Sequence, residues 1–142
     1  MRHQRVQKKF GRDTAHREEL MKSLVANLII NGSIVTTLPK SKQARKDAEK
    51  LVTIARKGTL AARRLCASRL VQPKNCVGKL FSEVVPKLEG RNGGYTRILK
   101  IGNRRGDGTP MAVLQWVYVA QPVEASGEEA PAPEAEAKPE AK

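Results

Sequence analysis

The chain has 142 residues, 27 lysines and arginines against 14 aspartates and glutamates, and a formal charge of +13. The acids are uneven: residues 123–142 hold six glutamates and two lysines, which leaves residues 1–122 with 25 bases, 8 acids and a net +17. A body so charged repels itself and attracts a polyanion, and with no apolar run of eighteen residues it holds nothing that spans a bilayer.

The N-terminal stretch MRHQRVQKKFGR carries Arg2, Arg5, Lys8, Lys9 and Arg12 with no acid. Val6 and Phe10 are too little apolar surface to offset the entropy of ordering it. It lacks the apolar run of a secretion signal and the serine-rich amphipathic repeat of a transit peptide. Residues 1–12 therefore read as a basic arm, disordered alone and ordered against phosphates.

Asp13 or Thr14 can cap a helix starting at Ala15. Leu20, Leu24 and Leu28, with Met21, Val25 and Ile29, recur at helical steps and form its apolar stripe. Asn31-Gly32 ends it, and Ser33–Thr36 is β-branched enough for a strand. A second helix is expected within 38–57, with Pro39 in its first turn and Ala44, Ala48, Leu51, Val52 and Ala55 buried. Lysine and arginine occupy most of its remaining surface, and Asp47 and Glu49 offset them only in part.

Gly58 stops that helix and Thr59 caps a third, running to about Val71, where Pro73 breaks it. Asn75 is the expected cap of a fourth helix with the stripe Val77, Leu80, Phe81, Val84, Val85 and Leu88. Two strands follow, 95–101 and 111–118, joined by NRRGDGTP. Neither alternates cleanly, which suggests strands covered on both faces. Beyond Gln121 the Ala/Pro/Glu composition reads as a disordered acidic tail, 122–142.

The order helix, strand, three helices, two strands specifies one α+β domain over 13–121, two layers with helices on a small three-stranded sheet. The expected core comprises Leu20, Leu24, Val25, Leu28, Leu51, Val52, Leu80, Phe81, Val84 and Val113.

Catalytic chemistry finds little support. His3 and His16 have no carboxylate placed to orient them, no phosphate-cradling glycine loop is present, and Cys66/Cys76 with the two histidines match no zinc spacing. Two cysteines make no disulfide framework, which fits a reducing cytoplasm. The residues point to no enzyme, cofactor, metal, small-molecule substrate or membrane partner. Five aromatics (Phe10, Phe81, Tyr95, Trp116, Tyr118) are too few for base-stacking platforms.

Positive charge in three clusters remains: the arm, KSKQARK at 40–46, and the hairpin pair Arg104-Arg105. Solvated helix faces normally balance such charge with Glu and Asp on the same helix. Phosphate contacts account for the imbalance, and the lack of a helix-turn-helix, zinc-finger, RRM or KH signature favours recognition of folded RNA by shape. A free nucleic-acid-binding factor and an RNA-directed enzyme are the competing classes.

The segments MRHQRVQKKFGRDTAHREELMKSLVANLI, NGSIVTTLPKSKQARKDAEKLVTIAR and GGYTRILKIGNRRGDGTPMAVLQWV resemble the bacterial ribosomal large-subunit protein seventeen family over residues 1 to about 119. The resemblance implies a structural protein of the cytoplasmic large ribosomal subunit that binds large-subunit ribosomal RNA and adjoins other large-subunit proteins. It implies RNA contacts from Arg2, His3, Arg5, Lys8, Lys9 and Arg12 of the arm, and from His16 and Arg17 at the start of the first helix. It further implies contacts from Thr36, Thr37, Lys40, Lys42 and Arg45 at the strand-to-helix junction, and from Arg97, Arg104 and Arg105 at the hairpin. Pro39 and Ser41 depart from the family pattern, and the acidic tail lies outside the family core.

Overall fold

A computed structural model describes residues 9–71 and 73–118. The chain enters through a tight turn in which Phe10 (φ 56°) and Gly11 (φ 65°) are left-handed. Such a φ is uncommon for a bulky residue. Here the Phe10 ring, read from sequence as part of the arm, packs against the core.

Helix α1 spans Thr14–Asn31, with Asp13 as its cap: the Asp13 side chain accepts from the His16 N–H. Gly32 (φ 76°) closes it in the left-handed conformation that glycine adopts without strain, its N–H donating to the Leu28 carbonyl. Strand β1, Ser33–Thr37, runs one residue longer than expected and passes directly into α2, Leu38–Ala55. Pro39 falls in the first turn of α2, where its missing N–H costs nothing. Helix α3, Leu60–Ser68, is capped by the Thr59 hydroxyl and stops three residues before the expected end.

The fourth helix differs most from expectation. It starts at Pro73, upstream of the expected cap Asn75, because proline suits an opening turn as well as it ends a helix. We treat Pro73–Lys79, a wider π-turn at Leu80–Val84, and Val85–Lys87 as one helix, α4. Pro86 cannot donate to the carbonyl four residues back and would crowd it. In the widened turn the Val85 N–H instead reaches the Leu80 carbonyl.

Strands β2, Thr96–Asn103, and β3, Pro110–Trp116, complete an antiparallel sheet in the order β1-β3-β2. Helix α2 touches all three strands, α1 lies on β1, and α3 and α4 pack onto the other helices. The result is a helical layer on one face of a sheet, a two-layer α+β fold.

Central strand β3 alternates cleanly, contrary to the sequence reading: Ala112, Leu114 and Trp116 are buried, while Met111, Val113 and Gln115 line the outer face. Val113 is therefore not a core residue, since a side-chain period of two allows only one parity to face the helices. Leu20, Leu24 and Phe81 also fall short of full burial and pack at the rim of the core. Its centre is Val25, Leu28, Ile29, Val52, Leu80, Val84, Leu88 and Leu114. Trp116 anchors sheet to helix, its Nε1–H donating to the Leu28 carbonyl at 3.0 Å.

Candidate nucleic-acid interface

Sheet register brings two of the basic clusters together. Thr37 stands opposite Met111, and Asn103 opposite Pro110. The start of α2 and the loop 104–109 therefore share one end of the sheet. At that end Thr36 and Thr37 are half-buried, Lys40 is half-exposed and Lys42 is exposed. No acid occupies the first turn of α2, and the unpaired N–H groups of a helix start favour anions. Ser41 is fully buried, its hydroxyl donating to the Thr37 carbonyl at 3.3 Å. The Pro39 and Ser41 departures thus fit an ordered opening turn.

Within the hairpin loop the two arginines do different work. Arg104 forks onto Asp107, with Nε to Oδ1 at 3.1 Å and Nη2 to Oδ2 at 2.6 Å. The Thr109 hydroxyl donates to Asp107 Oδ2 at 2.8 Å, and the Arg104 N–H to the Thr109 carbonyl at 2.9 Å. These donors, the Arg104 guanidinium foremost, hold the Asp107 carboxyl far below the usual carboxylate range. Arg104 shapes the loop. Arg105 is exposed and, among the described residues, has no side-chain partner.

Other sequence-predicted positions are also partly committed. Arg45 Nε donates to Glu49 Oε1 at 3.0 Å, and that oxygen also accepts from the buried Thr96 hydroxyl at 3.1 Å. Arg97, exposed on the outer sheet face, stands opposite Gln115. Arg12 Nη1 donates to the Phe10 carbonyl at 3.2 Å and its Nε approaches His16 Nε2 at 3.4 Å, so both belong to the entry turn. Lys9 is exposed, while Arg2, His3, Arg5 and Lys8 lie outside the described residues.

At the opposite end of the sheet Arg56 and Lys79 are tied down. Arg56 Nη1 donates to the Arg91 carbonyl at 2.7 Å and to the Tyr95 hydroxyl at 2.9 Å. Lys79 Nζ caps the end of α1 through the Ile30 carbonyl at 2.8 Å. By contrast Lys40, Lys42 and Arg105 make no side-chain hydrogen bond or ion pair among the described residues.

Sequence reasoning missed a cleft of about 300 Å³ between the first half of α1 and the middle of α2. Arg17, Glu18 and Lys22 line it from α1, Asp47 and Lys50 from α2, and Arg69 from the residue after α3. Burial pushes the Asp47 carboxyl up, against the pull of Lys50, Arg69 and Lys46. The i, i+3, i+4 spacing of Asp47, Lys50 and Leu51 on α2 places them on one face, but which helix faces them depends on tertiary packing.

Among the described residues no group of three or more His, Cys, Asp or Glu is placed to hold a metal. Burial pushes both the Cys66 and the Cys76 thiols up, away from a reactive thiolate. The arrangement offers charge, backbone N–H groups and shape.

Comparison with known proteins agrees with that chemistry. The family model for ribosomal protein L17 matches residues 20–117. A large ribosomal subunit protein bL17 from Methylacidiphilum infernorum is 49% identical over 124 residues, covering 87% of this chain and 94% of that one. The bL17 of Finegoldia magna is 48% identical over 78% of this chain and 83% of its own. That of Azorhizobium caulinodans is 48% identical over 89% of both. A model matched from within α1 to the end of β3 and relatives nearly half identical along most of their length lead to one conclusion: the chain belongs to the ribosomal protein L17 family.

Proposed function

We propose that this chain is a structural, non-enzymatic constituent of the cytoplasmic large ribosomal subunit that binds folded large-subunit ribosomal RNA and so supports translation. The observation that carries the reading is the gathering of Lys40, Lys42 and Arg105, cations without a side-chain partner among the described residues, at one end of the sheet beside the open start of α2. Phosphate oxygens are the partners such donors lack. His16 and Arg17 at the start of α1, and Thr36, Thr37 and Arg45 at the junction, would add contacts beside this end, while Arg97, on the outer face at the Ser33–Gln115 end of the sheet, would make a separate one. Arg104 contributes by holding the loop that presents Arg105. The arm, with Arg2, His3, Arg5, Lys8, Lys9 and Arg12, would add further phosphate contacts.

Neighbouring large-subunit proteins are the second class of partner. The outer sheet face, with Val35, Leu99 and Ile101 63%, 45% and 58% exposed, is the apolar surface available to them. Gradient sedimentation of a tagged chain tests the assignment. It should travel with the large subunit and stay there through a moderate salt wash. Recovery at the top of the gradient would instead identify a free nucleic-acid-binding factor.

A further inference from the structure

The cleft between α1 and α2 combines features that phosphate binding alone does not require. Its walls carry four cations, Arg17, Lys22, Lys50 and Arg69, with two carboxylates, the exposed Glu18 and the half-buried Asp47. A surface selected only to meet phosphates gains nothing from a half-buried carboxylate in its lining, which repels them. Asp47 feels the pull of Lys50, Arg69 and Lys46, yet among the described residues it forms no ion pair within 4 Å and accepts no side-chain hydrogen bond, so its oxygens are open to further donors. Burial disfavours its charged form, so a pair of N–H donors arriving from outside would be a favourable partner. Met21 and Val25 supply an apolar floor. The volume, about 300 Å³, sits at the lower end of the roughly 300–1,000 Å³ of small-ligand pockets.

Guanine matches these features best among the nucleobases. It alone presents two adjacent N–H donors, N1–H and the N2 amino group, on its Watson–Crick edge, and a carboxylate can accept both. Unpaired bases in folded RNA are splayed out and read on that edge, often against an arginine plane. We infer that the α1–α2 cleft receives one unpaired guanine of an RNA strand, with Asp47 accepting from N1–H and N2–H and the surrounding cations holding the flanking phosphates. The inference rests on the RNA-binding reading and adds a base-specific contact to it.

The test uses the full chain and three short single-stranded RNAs: oligoadenylate, the same strand with one central guanosine, and the same with inosine there. Fluorescence anisotropy should show the guanosine strand binding about tenfold tighter than oligoadenylate, the discrimination expected of one good bidentate base contact. Inosine, which lacks the N2 amino group, should fall between. Asp47→Asn should abolish the preference. Its sign is diagnostic: removing a negative charge strengthens generic phosphate binding, so a variant that only gains affinity for all three strands overturns the proposal. Free GMP should bind more weakly than the guanosine strand, having a single terminal phosphate in place of a phosphodiester on each side; equal affinity would make the ligand a free nucleotide and refute the RNA assignment. A GMP-induced shift of the Met21 methyl resonance locates the site without any variant, and an unmoved Met21 signal at saturation also overturns it. A large-subunit ribosomal RNA fragment serves as reference. If it binds while guanosine and adenosine strands are equal, the cleft proposal fails and the ribosomal reading stands; if it does not bind, both fail.

Discussion

Replacing Leu28 with alanine tests the core where helix and sheet meet. Leu28 has no exposed surface and lies among Val25, Ile29, Leu80 and Leu114, while its carbonyl accepts from both Gly32 N–H and Trp116 Nε1–H. Truncation removes buried methyl groups and leaves a cavity that the surrounding rigid elements cannot fill, which costs about 3–5 kcal/mol. Leu24, one turn earlier, is only half-buried at the rim, so Leu24→Ala loses less transfer energy and leaves a site open to water, for about 1–2 kcal/mol. The sequence reading, which placed Leu24 in the core, would have made the two alike. Against a total stability of about 5–15 kcal/mol, Leu28→Ala removes a large share in a domain that also repels itself. At roughly 4–8 °C per kcal/mol for domains of this size class, it should lower Tm by about 12–40 °C, and Leu24→Ala by about a third of that. Circular dichroism melts in matched moderate salt decide the matter. Equal shifts for the two variants, or a Leu28→Ala protein that melts with the parent, would refute the placement of the α1 stripe.

Glu49→Ala should cost about 1–3 kcal/mol in urea unfolding, because the buried Thr96 hydroxyl loses its acceptor; Glu49→Gln, which keeps an oxygen there, should stay near the parent. The carboxyls of Asp47 and Asp107 should titrate on opposite sides of the ordinary aspartate value in carbon NMR, Asp47 above it by burial and Asp107 far below it through Arg104 and Thr109. By linkage Asp107 stabilises the fold above the ordinary carboxylate range and loses that contribution as pH falls toward its own lowered value, whereas the penalty at Asp47 is relieved as pH falls through its raised one. Deleting residues 1–8, which keeps Phe10 on the core, should leave Tm unchanged but make log affinity for ribosomal RNA about 2.1–2.7 units shallower against log salt, one increment of 0.7–0.9 for each of Arg2, Arg5 and Lys8.

Local signals were legible where one interpretation dominated. The leucine spacing of α1 and the Asn31-Gly32 stop needed no tertiary information, and the order of elements followed from such signals. Strand β3 was not legible in the same way. Met-Ala-Val-Leu-Gln-Trp is apolar on both parities, so only its pairing with β1 and β2 decides that Leu114 faces the helices and Val113 does not. Pro73 was ambiguous because proline both ends and opens helices. At the candidate interface the cations themselves were visible, and so, in principle, was the pairing of Arg104 with Asp107 three residues on, next to a Gly-Thr turn. Nothing local could show that Arg17, Asp47 and Arg69 line one cleft, since that depends on how three helices pack.

The most direct test of the central claim is the salt dependence of binding to a large-subunit ribosomal RNA fragment, comparing the parent with a Lys40→Gln, Lys42→Gln, Arg105→Gln variant. These three side chains have no partner among the described residues, so their loss should leave the fold and its melting intact. If each neutralises one phosphate, the slope of log affinity against log salt becomes shallower by about 2.1–2.7 units. An unchanged slope in a normally folded variant would contradict the account, because the end of the sheet that gathers these cations would then not be the surface that meets RNA.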